Sequence, residues 1–160
     1  MLVGGLVIVL SRIDSRLIHG QVIEAWLPFL RVARVVVADD VTAKDALAQA
    51  AMGLAVPETV QVLHTTLAQF DAGAVARDDV PTLVLFRDVA AVVFARAHGL
   101  PDGPLTLGNV HAGPGRHAVS RSVFLTDEEA AQLSKLTESG MDVTIQSLPS
   151  EAPQRVPRAA

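Results

Sequence analysis

Two arginines and one histidine fall within the short stretch Arg12-Ile13-Asp14-Ser15-Arg16-Leu17-Ile18-His19-Gly20-Gln21-Val22. Arg16 stands three residues before His19 and Arg12 seven before it. An imidazole with a free ring nitrogen is a nucleophile and is available near neutral pH. A guanidinium is a rigid fork of donors that matches phosphate oxygens. These types at this spacing suit a histidine that accepts a phosphoryl group while Arg12 and Arg16 hold its oxygens. Asp14 is expected to orient an arginine or tether the loop, because a free carboxylate would repel the incoming group. The same residues would also make a salt-bridged loop with a structural histidine, and on composition alone that is the better reading.

Positioning such a group requires a strand before it and a helix after it. The apolar run Leu6 to Leu10 reads as a buried strand, and a helical pattern begins near Gly20. The first N–H groups of a helix have no internal partner and attract anions. The amides of Gly20, Gln21 and Val22 therefore complete the expected phosphate cradle, with Gly20 permitting close backbone approach.

Composition narrows the classes. The chain has 160 residues, enough for one domain with a sizeable core. Half the residues are hydrophobic but only 4% are aromatic, so Val, Leu, Ile and Ala must build that core. No cysteine is present, which excludes disulfides and thiol catalysis and fits a cytoplasmic protein. A formal charge of −4 offers no basic footprint for nucleic acid. Apolar runs are too short to span a bilayer, and Met1 to Leu10 has no basic segment typical of a signal peptide. Neither a metal nor a cofactor is expected, since His64, His98, His111 and His117 lack persuasive metal-ligand spacing.

Along the chain, apolar periodicity predicts seven strands: 6–13, 34–38, 60–63, 82–86, 105–107, 122–125 and 142–147. Helical patterns fall mostly between them. One runs from Gly20 to about Leu27, where Pro28 should kink or end it. Thr42 is expected to cap a second, with Asp45 in capping-box spacing. Residues 66–70 read as a short helix and 72–80 as a polar loop. Asp88 should cap another helix, ended by His98, Gly99 and Pro101. Thr126 and Glu129 open the last, and Gly140 closes it. This alternation predicts a single-domain α/β fold over 1–148, a mostly parallel central sheet of about seven strands with helices on both faces. Residues 149–160, with three prolines, are expected to form a disordered tail. Asp39 and Asp40 end the second strand, where open α/β sheets line their ligand crevice. Asp40 is therefore a candidate supporting residue, with strand-end solvation and capping the plainer alternative.

The stretch from Arg12 to Val22 resembles the opening motif of the IIB subunits of the mannose/fructose/sorbose family of the bacterial phosphotransferase system, which reads RIDDRLIHGQV; Ser15 is the one departure. The segment from Val35 to Val62 is similar as well, and the likeness extends loosely from Val7 to Leu148. The resemblance implies that His19 takes a phosphoryl group on Nδ1 from a IIA phosphohistidine. It would then pass the group to a sugar held by a IIC/IID membrane permease, at the inner face of the membrane. The loop Asn109-Val-His-Ala-Gly-Pro-Gly-Arg116 departs from the family pattern: it is about three residues shorter, His111-Ala112 replaces a glycine pair, and Arg116 stands at the family's lysine. His111 and His117 could approach His19 from this loop. Its shortness motivates an alternative, a regulatory relative phosphorylated at His19 that signals through protein contacts. The sugar is not legible, and self-association into a homo-oligomer stays open.

Overall fold

The computed structural model describes residues 7–158; Leu6, the expected start of the first strand, lies outside them. Among the described residues nine strands form: β1 Ile8–Asp14, β2 Arg34–Ala38, β3 Gln61–Thr65, β4 Thr82–Phe86, β5 Pro104–Asn109, β6 His117–Ala118, β7 Phe124–Leu125, β8 Asp142–Ile145 and β9 Gln154–Arg155. The helices are α1 Leu27–Leu30, α2 Ala46–Ala55, α3 Ala72–Arg77, α4 Val89–Ala97 and α5 Asp127–Glu138. Seven strands make one sheet in the order β3-β2-β4-β1-β5-β8-β9, parallel except where β9 pairs antiparallel to β8. β1 lies between β4 and β5, and its C-terminal end opens on the crevice where the strand order reverses.

Unbroken apolar strands are buried on both faces because alternate side chains serve two cores. Val36, Ala38, Val84 and Phe86 pack with Val89 and Val92 of α4 and Leu133 of α5. Val35, Val37, Leu83 and Leu85 pack on the opposite side with Val22, Trp26 and Leu27. The expected layout of helices on both faces is thus present.

Several local expectations change. The segment 122–125 is not a full strand of the sheet: Val123 forms a single parallel bridge to Val110, just beyond β5, and Phe124–Leu125 pairs with β6 in a separate ribbon. β9 takes the seventh place, inside the segment expected to be a disordered tail, and Arg155 lies 3.6 Å from Asp142. Asp45, not Thr42, caps α2 by accepting from Ala48 N, and Thr42–Lys44 is a 3₁₀ turn. α3 occupies the expected loop because Asp71 caps it at Ala74 N. α2 buries none of its residues, and Leu47 and Leu54 are exposed. Asp88 and Thr126 cap α4 and α5 as expected.

Pro28 does not stop the first helix. A π-helical turn, Val22–Trp26, precedes α1 and carries Leu27 N–H to Val22 O, which makes room for a residue lacking its own N–H. The helix ends at Arg31, in the left-handed region with φ 54°.

Candidate active site

Two irregularities in the central strands set the site. Between Ile8 and Leu10 the pairing of β1 with β4 shifts register. Leu10, Arg12 and Asp14 then share one face, toward Trp26, while Ile13 faces the other core. Between β1 and β5, Ile13 pairs with Leu107 but Asp14 pairs with Asn109, so Gly108 is an extra residue in a bulge. The missing side chain of Gly108 leaves the space that the Arg12 guanidinium fills: a Cβ there would sit 2.7 Å from Nε and closer still to Cζ and Nη2.

Arg12 therefore runs into the fold, not out to a phosphate, and its side chain is fully buried. Its Nη1 donates to Gln146 O at 2.8 Å and its Nη2 to Ser147 O at 3.1 Å. Its Cζ lies 4.7 Å from the centre of the Trp26 ring, and Trp26 Nε1 donates to the same Ser147 O at 2.8 Å. Nη2 is also 3.4 Å from Asp14 Oδ2. Burial lowers the Arg12 pKa, and the Asp14 charge counters that.

Asp14 collects donors from four directions. Its Oδ2 accepts from Asn109 Nδ2 at 3.0 Å and lies 2.9 Å from His19 Nε2, while Oδ1 accepts from Arg16 N–H at 3.0 Å. Burial alone would raise its pKa. Hydrogen bonds from His19 and Asn109, with the charge of Arg12, outweigh burial and hold the carboxyl below its usual range. A carboxylate accepts only, so His19 Nε2 must carry the proton it shares with Asp14. In the neutral ring Nδ1 is then the nitrogen with a lone pair, and it has no hydrogen-bond partner among the described residues. The His19 side chain is 8% exposed.

The loop between Asp14 and His19 is pinned at both ends. Ser15 N–H donates to Asn109 O at 2.8 Å, and Leu17 N–H donates to Asp14 O at 2.9 Å. Leu17 adopts φ 54°, an unfavourable conformation for a leucine, with its side chain buried in the core beside Trp26. The helix that follows begins its backbone ladder with Ile23 N–H to His19 O at 3.0 Å, leaving the amides of Gly20, Gln21 and Val22 without backbone partners among the described residues. Gln21 Oε1 accepts from Asn109 Nδ2 at 3.1 Å. The side chain of Arg16 is exposed and makes no hydrogen bond or ion pair with a described residue.

The structure thus brings Asp14, Arg16, His19 and the helix start together, and places Arg12 beneath them. Asp40 instead accepts from Leu67 N–H at 2.9 Å, securing the turn after β3. His98 caps α4 and stacks on Phe94, with ring centres 4.1 Å apart. Burial lowers the His64 pKa, opposed by the Asp39 charge, and its ring nitrogens have no hydrogen-bond partner among the described residues. His111 and His117 are exposed and make no side-chain hydrogen bond with a described residue, while Arg116 spans Glu129 Oε1 at 3.1 Å and His111 O at 2.8 Å. Asn109 and the Gln146–Ser147 carbonyls were missed in the sequence. Asn109 heads a glycine-rich loop and carried that much signal; the carbonyls, being backbone, carried none. No cluster of three or more His, Asp or Glu able to hold a metal occurs among the described residues.

A family model described as PTS system sorbose subfamily IIB component matches residues 8–158. The chain therefore belongs to the IIB components of the phosphotransferase system and, among these, to the sorbose subfamily. It is 32% identical over 145 residues to the N-acetylgalactosamine-specific phosphotransferase enzyme IIB component 2 of Escherichia coli (strain K12), covering 90% of this chain and 92% of the relative. It is 24% identical over 150 residues to the PTS system mannose-specific EIIAB component of the same organism, covering 91% of this chain but 46% of that protein. The crystal structure of the N-acetylgalactosamine-specific IIB component 1 from Escherichia coli is similar in fold, with a TM-score of 0.85, 26% identity, and coverage of 92% of this chain and 98% of the other. Membership implies phosphoryl transfer in sugar uptake.

Proposed function

We propose that this protein accepts a phosphoryl group from a IIA phosphohistidine onto Nδ1 of His19 and passes it to a sugar entering through a IIC/IID permease. The observation that carries the reading is the division of labour on one ring: Asp14 holds Nε2, and Nδ1 has no partner. The Nδ1 lone pair forms the new N–P bond as the donor's N–P bond breaks and its electron pair returns to the donor imidazole. The Nε2 proton stays on His19, where Asp14 stabilises it in both states. On discharge, a sugar hydroxyl oxygen attacks phosphorus, the N–P electron pair returns to Nδ1, and the hydroxyl proton leaves to solvent or a permease base. The group arrives already activated, so the site need supply only alignment and charge stabilisation.

In this reading Arg16 and the amides of Gly20, Gln21 and Val22 receive the phosphoryl oxygens. Arg12 is a positioning residue: its charge keeps Asp14 ionised, and Asp14 sets the tautomer of His19. Nδ1 is covered in the resting protein, so the groups around it must shift to admit the donor. A IIA partner is supported by the mannose-specific EIIAB component, whose printed name joins IIA to IIB in one chain. No helix among the described residues is long and apolar enough to cross a membrane, which suits a component acting at the cytoplasmic face of its permease.

The test is labelling from radioactive phosphoenolpyruvate with the general phosphotransferase proteins and a IIA protein, then chase into sugar with permease membranes. Label on wild type, none on His19→Ala, and label recovered in sugar phosphate are expected. Labelled His19 that never yields sugar phosphate would point to the regulatory alternative. No label at all would refute the reading.

A further inference from the structure

The geometry points to Arg87 as a second guanidinium of the phosphoryl-transfer site, binding the transferred group beside His19; this rests on the reading of His19 as the phosphoryl carrier. Arg87 is the first residue after β4. The last rung of the β1–β4 pairing joins Ile13 to Phe86, so the next rung sets Arg87 beside Asp14. Asn109 stands beside Asp14 on the other flank. The His19 loop therefore rises between Asn109 and Arg87.

The way Arg87 is held leaves one end free. Nε donates to Asp39 Oδ1 at 2.9 Å and Nη2 to Asp39 Oδ2 at 2.8 Å, a paired grip along one edge of the guanidinium. Asp39 is itself fixed by Thr42 N–H at 3.0 Å. Among the described residues the remaining nitrogen, Nη1, reaches only Ser15 O, at 3.5 Å, the outer limit for a hydrogen bond. Ser15 belongs to the His19 loop. The side chain is 36% exposed, so the charge is open to solvent. A pair made only for stability would have no need to aim its spare donor at this loop. Asp39 clamps the guanidinium in orientation and raises its pKa, so the cation is permanent and preset.

During transfer, the N–P bond to Nδ1 forms as the donor's N–P bond breaks, and no proton moves through Arg87. Arg87 Nη1 exchanges its weak contact with Ser15 O for a phosphoryl oxygen. Arg16, free and on the loop, takes oxygens from the other side. One cation is mobile and the other fixed to the sheet, so the fixed one sets the position of the phosphorus.

The experiment is single-turnover transfer from a saturating phosphorylated IIA protein, alongside the apparent Kd for that donor, for wild type, Arg87→Ala, Arg87→Lys and the double variant Arg87→Ala/Asp39→Asn. The double variant removes the carboxylate that Arg87→Ala leaves unpaired, and guards against simple unfolding. Arg87→Ala and the double variant are expected to transfer at least about tenfold more slowly at saturation, the scale for losing a charge-assisted donor. Donor Kd should change less than about twofold, and Arg87→Lys should recover part of the rate. A double variant that transfers at the wild-type rate would overturn the proposal, since the defect would then belong to unpaired Asp39. So would a loss confined to donor Kd, which would make Arg87 a docking residue. Failure of the wild type itself to label would overturn the phosphocarrier reading, and this proposal with it.

Discussion

Gly108→Ala puts the placement of Arg12 to a demanding test. The new Cβ would lie 2.7 Å from Arg12 Nε, with Cζ and Nη2 closer. Those atoms are not the free end of a mobile side chain. The guanidinium is fully buried, bonded to Gln146 O and Ser147 O, and stacked on Trp26. Either the bulge opens or the guanidinium leaves its carbonyls. Overpacking a core costs about 1–3 kcal/mol, and each hydrogen bond to a charged group that is lost adds about 1.5–3 kcal/mol. With one such bond lost, a total of about 2.5–6 kcal/mol is expected, against the roughly 5–15 kcal/mol that stabilises a typical domain. Trp26 is the sole tryptophan and lies against Arg12, so urea unfolding followed by its fluorescence reads both stability and the local packing. Gly53→Ala is the control: a Cβ there meets open space inside exposed α2, and stability should rise by about 0.5–1 kcal/mol. In an Arg12→Ala background, Gly108→Ala should cost little, giving a coupling above about 1 kcal/mol. If Gly108→Ala alone stays within about 0.5 kcal/mol of wild type, as surface changes do, Arg12 does not occupy that space and the positioning role assigned to it fails.

Other outcomes follow from the same geometry. Arg16→Ala should change stability by less than about 0.5 kcal/mol yet slow phosphoryl transfer, whereas Arg12→Ala should lose about 3–5 kcal/mol by stranding buried Asp14; chemical denaturation beside labelling rates separates the two. The carboxyls of Asp14 and Asp39 are held below their ordinary range, so the unfolded chain binds more protons there. The stability they contribute is present above about pH 4 and is lost as pH falls through their lowered values. Urea midpoints between pH 6 and 2.5 should fall accordingly, less steeply for Asp39→Asn; equal slopes would contradict the assignment. Asp14→Asn should slow labelling of His19 even where the variant remains folded by circular dichroism, because the fixed acceptor for Nε2–H is weakened.

Much of the fold was legible because it is written in short-range chemistry. The β-branched run Arg34–Ala38 and the apolar run Thr82–Phe86 declare strands buried on both faces, and Asp88 and Thr126 declare helix starts. The family was legible through the motif around His19. Arg12 was not, because its direction depends on a register shift near Ile8 and a bulge at Gly108, both set by pairing between distant strands. The two residues of β9 carry no alternation of their own, and pair because β8 offers an open edge. Of the two outcomes expected at Pro28, the helix end did not occur, for a related reason. Its missing donor is a local fact, but the wide π turn that absorbs it is stabilised by burying Val22 and Trp26 against the sheet. Asp45 and Asp71 were ordinary caps that competed with neighbours of similar propensity, and single-sequence patterns rank such neighbours poorly.

The central claim concerns one nitrogen atom. Nuclear magnetic resonance of the phosphorylated, ¹⁵N-histidine-labelled protein reports directly which ring nitrogen bears phosphorus. A phosphoryl group on Nδ1 of His19, with a proton retained on Nε2 facing Asp14, is the expected result. Phosphorus on Nε2, or on any of the other four histidines, would contradict the account.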